Sequence, residues 1–156
     1  MAIGTDATII VLGTTDVADD TSTSAIVDGV MSVAADITAW TNDDDAPFAN
    51  FILNWQSAAT TLTGNIFLHV RPINIDGAND SPIPTTADPI GRAGVFEIDG
   101  AKAINTDHPY LASIDLRPFT MKTSQEFEFY LFNNTGETIA ANWDLDVVPL
   151  SFNGAA

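Results

Sequence analysis

The stretch Glu126–Phe132 (EFEFYLF) decides the fold class of this chain, because its side chains alternate between two chemically different faces. The apolar face carries Phe127, Phe129 and Leu131, and the other face carries Glu126, Glu128 and Tyr130. Successive side chains of a β-strand point to opposite faces of its sheet, whereas a helix repeats about every 3.6 residues. This period of two therefore predicts a strand whose apolar face packs against a core.

The chain continues this pattern after the strand. Asn133–Gly136 (NNTG) has the composition of a hairpin-type turn. Thr138–Val148 (TIAANWDLDVV) alternates again. Its apolar face carries Trp143, Leu145 and Val147, and Asp144 and Asp146 lie opposite. The sequence therefore predicts a second strand directly after a tight turn.

Apolar segments and turn signals also alternate upstream of this pair. Further strands are predicted at Phe48–Trp55, Thr63–Val70, Gly94–Ile98 and Ser113–Leu116. Turns or loops are predicted at Thr41–Pro47, Asn74–Pro89 and Ile104–Leu111. Short strands separated by such signals are typical of two packed sheets. We therefore expect an all-β fold, an antiparallel β-sandwich with jelly-roll-like topology.

The N-terminal part of the chain has a different composition. Residues 1–24 are rich in Thr, Asp, Ala and Ser, and their apolar island Thr8–Leu12 predicts one short strand in an otherwise mobile arm or loop. Residues 25–40 fit helical spacing and an edge strand equally well, and we favour a strand because strands follow. The predicted division is an N-terminal arm, residues 1–24, and a β-sandwich domain, residues 25–156.

The balance of charges limits the partners that this chain can bind. Its 156 residues include 21 Asp and Glu against 5 Lys and Arg, which gives a net charge of −16. Such a charge repels phosphate groups and anionic lipids, so we expect no nucleic-acid partner and no membrane partner. The same acidity suits either a soluble outer surface or a salty environment.

The chain lacks both Cys and the features of a signal peptide, which limits its possible bonds and its expected location. The chain contains no Cys, which excludes disulfides and thiolate metal sites. The N-terminus has no basic region, and the apolar run Ile9–Leu12 is too short for a signal peptide. We therefore expect assembly in the cytoplasm or release by lysis.

No residue pattern in the sequence indicates catalysis. Only two His are present: His69 in a predicted strand, where it points outward or satisfies a local bond, and His108 in a predicted loop. No Gly-x-Ser-x-Gly elbow is present, and Gly91–Gly94 lacks the Lys and the helix of a phosphate-binding loop. Two His without Cys do not make a strong zinc site. We therefore expect a non-enzyme with no catalytic, cofactor-binding or metal-binding residues and no cofactor.

Two acidic clusters raise the question of calcium. One is Asp43–Asp45, and the other comprises Asp76, Asn79 and Asp80 around Gly77. Both offer oxygen ligands, but neither has the ligand spacing or the closing Glu of an EF-hand. We therefore predict that these acids form turns and a solvated surface, with Ca²⁺ binding as the alternative.

The three Trp residues have two interpretations. Trp40, Trp55 and Trp143 could form an exposed platform that stacks against sugars, as in carbohydrate-binding modules. Each also occupies an apolar position in its strand pattern, and a small sandwich needs large inward side chains. We favour burial in the core.

A series of turn and strand motifs extends over residues 40–150. The motifs are Thr41–Pro47 (TNDDDAP), Leu68–Gly77 (LHVRPINIDG), Ser81–Pro84 (SPIP), Gly94–Phe96 (GVF), Phe129–Gly136 (FYLFNNTG), Ala141–Leu145 (ANWDL) and Val148–Pro149. In these motifs the chain resembles small head structural proteins of tailed bacteriophages. Some of those are capsid decoration, or cement, proteins with a β-sandwich fold.

The resemblance implies a function without catalysis. The expected protein decorates and stabilises a capsid from its outer surface after assembly in the host cytoplasm. Its expected partners are the major capsid protein and its own copies, as a homotrimer, and the N-terminal arm could add a strand to a neighbour. The alternatives are a phage tail or neck component, and a carbohydrate-binding β-sandwich module.

Overall fold

The computed structural model describes residues 8–18, 23–57, 60–77, 79–98, 100–101 and 106–153. Within these ranges the secondary structure consists of β-strands and two short 3-10 helices, Ala34–Asp36 and Arg117–Phe119. The strands are β1 (Thr8–Val11), β2 (Thr15–Ala18), β3 (Trp40–Thr41), β4 (Phe48–Gln56), β5 (Thr61–Leu62), β6 (Asn65–Ile73), β7 (Arg92–Phe96), β8 (Gly100–Ala101), β9 (Asp107–Asp115), β10 (Glu126–Asn134) and β11 (Asp144–Asn153). None of the helices in these ranges has the length and apolarity needed to cross a membrane.

Two antiparallel sheets pack against each other. The first sheet has the order β1-β11-β4-β9, and β2 also pairs with β11. The second sheet has the order β3-β10-β6-β7, and β5 pairs with β8 in a separate two-stranded ladder. The predicted all-β class and the antiparallel, sandwich-like packing of two sheets are therefore confirmed.

The core lies between the two sheets and consists of the alternating apolar side chains that the sequence pattern selects. Phe51 of β4 and Phe129 of β10 meet across it edge to face, with ring centroids 4.6 Å apart. Strands β4, β6 and β10 contribute the expected residues, all nearly inaccessible to solvent: Phe51, Leu53, Trp55, Ile66, Leu68, Val70, Phe127, Phe129 and Leu131. At about 25 cal/mol per Å² of buried apolar surface, these side chains provide the main driving force for folding.

The prediction of a tight hairpin after Glu126–Phe132 is wrong. Strand β10 runs on to Asn134 and belongs to the second sheet, whereas β11 begins only at Asp144 and belongs to the first. The intervening residues cross from one sheet to the other, with Ile139 forming isolated bridges to Ile26 and Ser57. Thr138–Trp143, predicted as strand, therefore form the crossover between the sheets.

The predicted loop Ile104–Leu111 is also wrong over its described part, because β9 begins at Asp107 and contains Pro109. Leu116 donates its backbone N–H to the carbonyl of Pro47, the residue directly before β4, at 2.9 Å. By the alternation of an antiparallel ladder, the nitrogen of Pro109 then faces away from β4, at the edge of the sheet. A proline in that position removes no ladder hydrogen bond.

The N-terminal half contains two further corrections. Residues 25–40, predicted as a strand, contain isolated bridges at Ile26 and Met31, a turn at Asp28–Gly29 and a 3-10 helix. Thr8–Val11 forms the predicted strand β1, but Thr15–Ala18, predicted as mobile arm or loop, forms β2. The Val17 and Ala18 side chains of β2 are fully buried in the core, so this segment is part of the sandwich.

Candidate docking surface

The outward face of the second sheet is covered by the chain itself, through the long connection between β6 and β7. Arg71 donates from Nε to the Ser81 carbonyl at 2.7 Å, and His69 Nδ1 lies 2.8 Å from the Ile90 carbonyl. The same connection reaches the neighbouring segment, since Met31 donates its N–H to the Thr86 hydroxyl at 3.0 Å. The predicted surface loop is therefore a lid fixed on its own sheet by hydrogen bonds.

The outward face of the first sheet has no such cover among the described residues. Ile9 of β1 stands opposite Phe152 of β11, and Val11 stands opposite Leu150. Leu150 in turn pairs with Phe48 of β4, which continues the apolar surface across three strands. Ile9, Val11 and Phe152 are each more than half exposed. Contiguous exposed apolar surface of this kind is typical of an interaction site.

Phe48 lies at the centre of this apolar end and contacts both Phe152 and Arg117. Its ring packs edge to face against Phe152, with centroids 5.5 Å apart, and the Arg117 guanidinium lies 4.8 Å from its centroid. Arg117 also forms a bidentate contact with Asp115, with Nη2 and Oδ2 separated by 2.7 Å. This contact lowers the pKa of Asp115 through hydrogen bonds and the charge of Arg117. A groove of about 340 Å³ opens beside these residues.

The opposite end of the same face is acidic. Asp144 and Asp146 of β11 share this face, and Asp16 of β2 pairs with Asp146. Asp107 of β9 stands opposite Gln56 of β4 and accepts a hydrogen bond from its Nε2 at 2.7 Å. Burial, with a smaller contribution from the charge of Asp16, raises the pKa of Asp146. We call the whole outward face of the first sheet, with its apolar and acidic ends, the docking face.

The acidic turns considered for calcium form internal hydrogen bonds. Asp45 accepts the Ser124 N–H at 2.7 Å, and Asp80 accepts the Asn74 N–H at 2.8 Å. Asp80 also lies 3.4 Å from the Arg71 guanidinium. Within the described ranges, no three His, Asp or Glu residues converge in a way that could hold a metal ion. Asp45 and Asp80 therefore connect their loops to other segments of the chain, to Ser124 in the first case and to Asn74 and Arg71 in the second.

The Trp residues occupy the core, as favoured from the sequence. Trp40 is 7% exposed, Trp55 is 1% exposed and Trp143 is fully buried. Trp143 also donates its indole N–H to the Ser24 carbonyl at 2.8 Å. These side chains are therefore not arranged as an exposed platform for sugars, which removes the feature on which the carbohydrate-binding alternative depended.

The two His lie far from the docking face's apolar end. His69 lies on the outward face of the second sheet, is 2% exposed and bonds to the Ile90 carbonyl, which is 21 residues away in the sequence rather than local. His108 belongs to β9 rather than a loop, and its ring packs 5.9 Å from Trp55.

The docking face was not predicted from the sequence, although the composition of β11 indicated it. Residues 147–152 are apolar on both faces of β11, so the outward Val148, Leu150 and Phe152 are not needed for the core. A strand of a two-sheet sandwich normally alternates apolar with polar side chains. Apolar residues at both faces of one strand therefore indicate a second buried surface.

In comparisons with known proteins, no family model, curated protein or solved structure matches the chain significantly.

Proposed function

We propose that this protein is a non-enzymatic virion structural protein that decorates and stabilises the capsid of a tailed bacteriophage. It binds the major capsid protein on the outer surface of the shell and associates with its own copies. The jelly-roll topology expected from the sequence belongs to this proposal. The single observation that carries it is the docking face, whose apolar end the described part of the fold leaves uncovered.

The apolar end of the docking face supports binding to a large, preformed surface. Ile9, Phe48, Leu150 and Phe152 come from three strands held in register by ladder hydrogen bonds, so they present a nearly rigid surface. A preformed surface loses little conformational freedom when it binds, which favours affinity. Aromatic side chains, Phe among them, are enriched in protein interfaces, and a few anchors near the centre of an interface contribute most of its binding energy.

The acidic end of the face defines the chemistry of the partner. This end carries four acidic residues, Asp16, Asp107, Asp144 and Asp146, and the whole chain has a net charge of −16. A complementary surface therefore has an apolar centre bordered on one side by Lys or Arg. Opposite charges steer such partners together and fix their relative orientation. We assign this surface to the shell protein.

The proposal is tested with virions that lack this protein. They are expected to lose their genome at lower temperature, or on chelation, and to recover when the purified protein is added back. Phe152→Ser should weaken rebinding at least tenfold, because burying a Phe side chain contributes about 1.5–3 kcal/mol. Copies bound per shell are counted by gel densitometry across a concentration series.

Val27→Ser is the matched control, since Val27 is 55% exposed and Phe152 is 52% exposed, but Val27 lies outside the docking face. This variant should rebind like the unaltered protein. Virions whose heat stability does not depend on the protein would contradict the decoration function. Electron microscopy that located the protein at the tail or neck would replace it with that alternative.

A further inference from the structure

A small cavity of about 280 Å³ opens on the outward face of the second sheet, away from the docking face. Phe67 of β6, Phe132 of β10 and Arg92 of β7 line it together with His69 and Pro89. A cavity of roughly 150 Å³ is enough for one benzene ring. The space therefore suits a ligand with one or two rings.

Aromatic rings form one wall of this cavity. Phe67 and Phe132 stand opposite each other in the β6–β10 register and are nearly parallel, with an interplanar angle of 19° and centroids 6.4 Å apart. The His69 ring packs edge to face against Phe132 at 6.5 Å. Aromatic surfaces in this arrangement favour stacking with a flat apolar group.

Arg92 differs from the other arginines of the described chain. Arg71 is paired with Glu128 and Asp80, and Arg117 is paired with Asp115. Arg92 forms no ion pair with a described carboxylate; its guanidinium carbon lies 3.6 Å from the centroid of Phe67. A guanidinium that lies against a ring keeps its in-plane N–H donors for a bidentate acceptor such as a carboxylate.

His69 adds a second polar group of defined role. Its Nδ1 faces the Ile90 carbonyl at 2.8 Å, so Nδ1 carries the proton and Nε2 is left as an acceptor. Burial, helped by the charge of Arg92, lowers the pKa of His69 and keeps this ring neutral near pH 7. The cavity therefore combines a cationic donor with a neutral acceptor.

The connection that carries Pro89 and Ile90 is fixed in place, so the cavity is preformed. Val70 donates its N–H to the Gly91 carbonyl at 2.8 Å. Gly91 has a φ of +71°, and a Cβ at this position would lie 2.2 Å from the Val70 carbonyl oxygen. Only glycine fits this close approach, which holds the wall of the cavity against β6.

We propose that this cavity binds a small aromatic carboxylate. The ring of the ligand packs against Phe132, its carboxylate is held by Arg92, and a hydroxyl or amine on the ring donates to His69. This site is independent of capsid binding, because it lies on the opposite sheet from the docking face.

Titration with benzoate, followed by amide chemical shifts in ¹H–¹⁵N spectra, tests the proposal. Saturable shifts are expected at His69, Arg92 and Phe132, with a dissociation constant on the order of 1 mM for a ligand of this size. Benzamide keeps the ring without the charge and should bind at least tenfold more weakly. Acetate keeps the charge without the ring and should be weaker still.

Three substitutions distinguish binding at this site from general attraction of an anion to the protein. Arg92→Gln should weaken benzoate binding at least tenfold, and Arg92→Lys should recover only part of it, because Lys lacks the planar fork. Arg117→Gln is the matched control: Arg117 also lies over a Phe ring, but Asp115 already occupies its donors. This control should bind benzoate like the unaltered protein.

Four results would overturn the proposal. Benzoate shifts that fail to saturate would show that no site exists. Shifts centred on Phe48 and Phe152 would place the ligand on the docking face instead. Equal binding of benzoate and benzamide, or an undiminished affinity in Arg92→Gln, would remove the carboxylate from the recognition.

Discussion

Asn133 was predicted to begin a hairpin turn, but its side chain belongs to a buried network of hydrogen bonds. Its Nδ2 donates to the carbonyls of Ile26 and Glu137 at 2.8 and 2.7 Å, and its Oδ1 accepts from the N–H and hydroxyl of Thr135. Asn is common in turns because it bonds to nearby backbone groups. Here the same capacity connects the end of β10 to a distant segment, while the side chain is fully buried.

Asn133→Ala is therefore expected to destabilise the fold by more than about 2 kcal/mol, because it leaves several buried polar groups without partners. Urea unfolding monitored by Trp fluorescence measures this difference. Asn134→Ala is the control in the same strand, because Asn134 is exposed, and it should change stability by less than about 0.5 kcal/mol. Similar losses for both variants would contradict the role of the buried network.

At the level of single elements, the sequence predicted the strands in which one face is apolar and the other polar. Strands β4, β6 and β10 have this pattern and were placed correctly within a few residues. Strand β9 was partly missed because Pro109 resembles a loop signal, although its nitrogen faces the open edge. Strand β2 was missed because only Val17 and Ala18 turn inward.

The docking face could not be predicted from periodicity alone. Ile9 and Phe152 lie near opposite ends of the sequence and meet only through the β1–β11 register. The cavity near Arg92 depends likewise on a loop that crosses its own sheet. Local patterns specify which residues turn inward, whereas such sites depend on which strands become neighbours.

Strand β9 allows a direct test of its register. The N–H of Ala112 faces β4, and the N–H of Ser113 faces the open edge. Ala112→Pro should therefore lower the free energy of unfolding by about 1–3 kcal/mol, because the lost ladder hydrogen bond leaves a backbone carbonyl of β4 without its partner. Ser113→Pro should cost clearly less, with Ser113→Ala as its control for the hydroxyl, as measured by urea unfolding. A larger loss for Ser113→Pro would show that the register is shifted by one residue.

At the scale of the whole molecule, the two sheets have different outward surfaces. The second sheet is covered by its own connection, so Ile73, His69 and Tyr130 are buried on its outward side. The first sheet leaves Ile9, Val11 and Phe152 exposed on the equivalent side. A molecule that covers one sheet and leaves the other open has a defined orientation on any surface to which it binds.

Self-association is the remaining part of the proposed function. Because the chain is strongly charged, its association should depend on salt concentration. Copies that each carry −16 repel one another, and this repulsion extends over about 10 Å at 0.1 M salt but only about 3 Å at 1 M. Light scattering should therefore give a mass near three times 16.6 kDa at 1 M NaCl and a smaller average mass at low salt.

Phe152→Ser should retain the trimer, since we assign the docking face to the shell protein. A monomer at every salt concentration would contradict the trimer, and a trimer lost in Phe152→Ser would assign the docking face to contacts between copies.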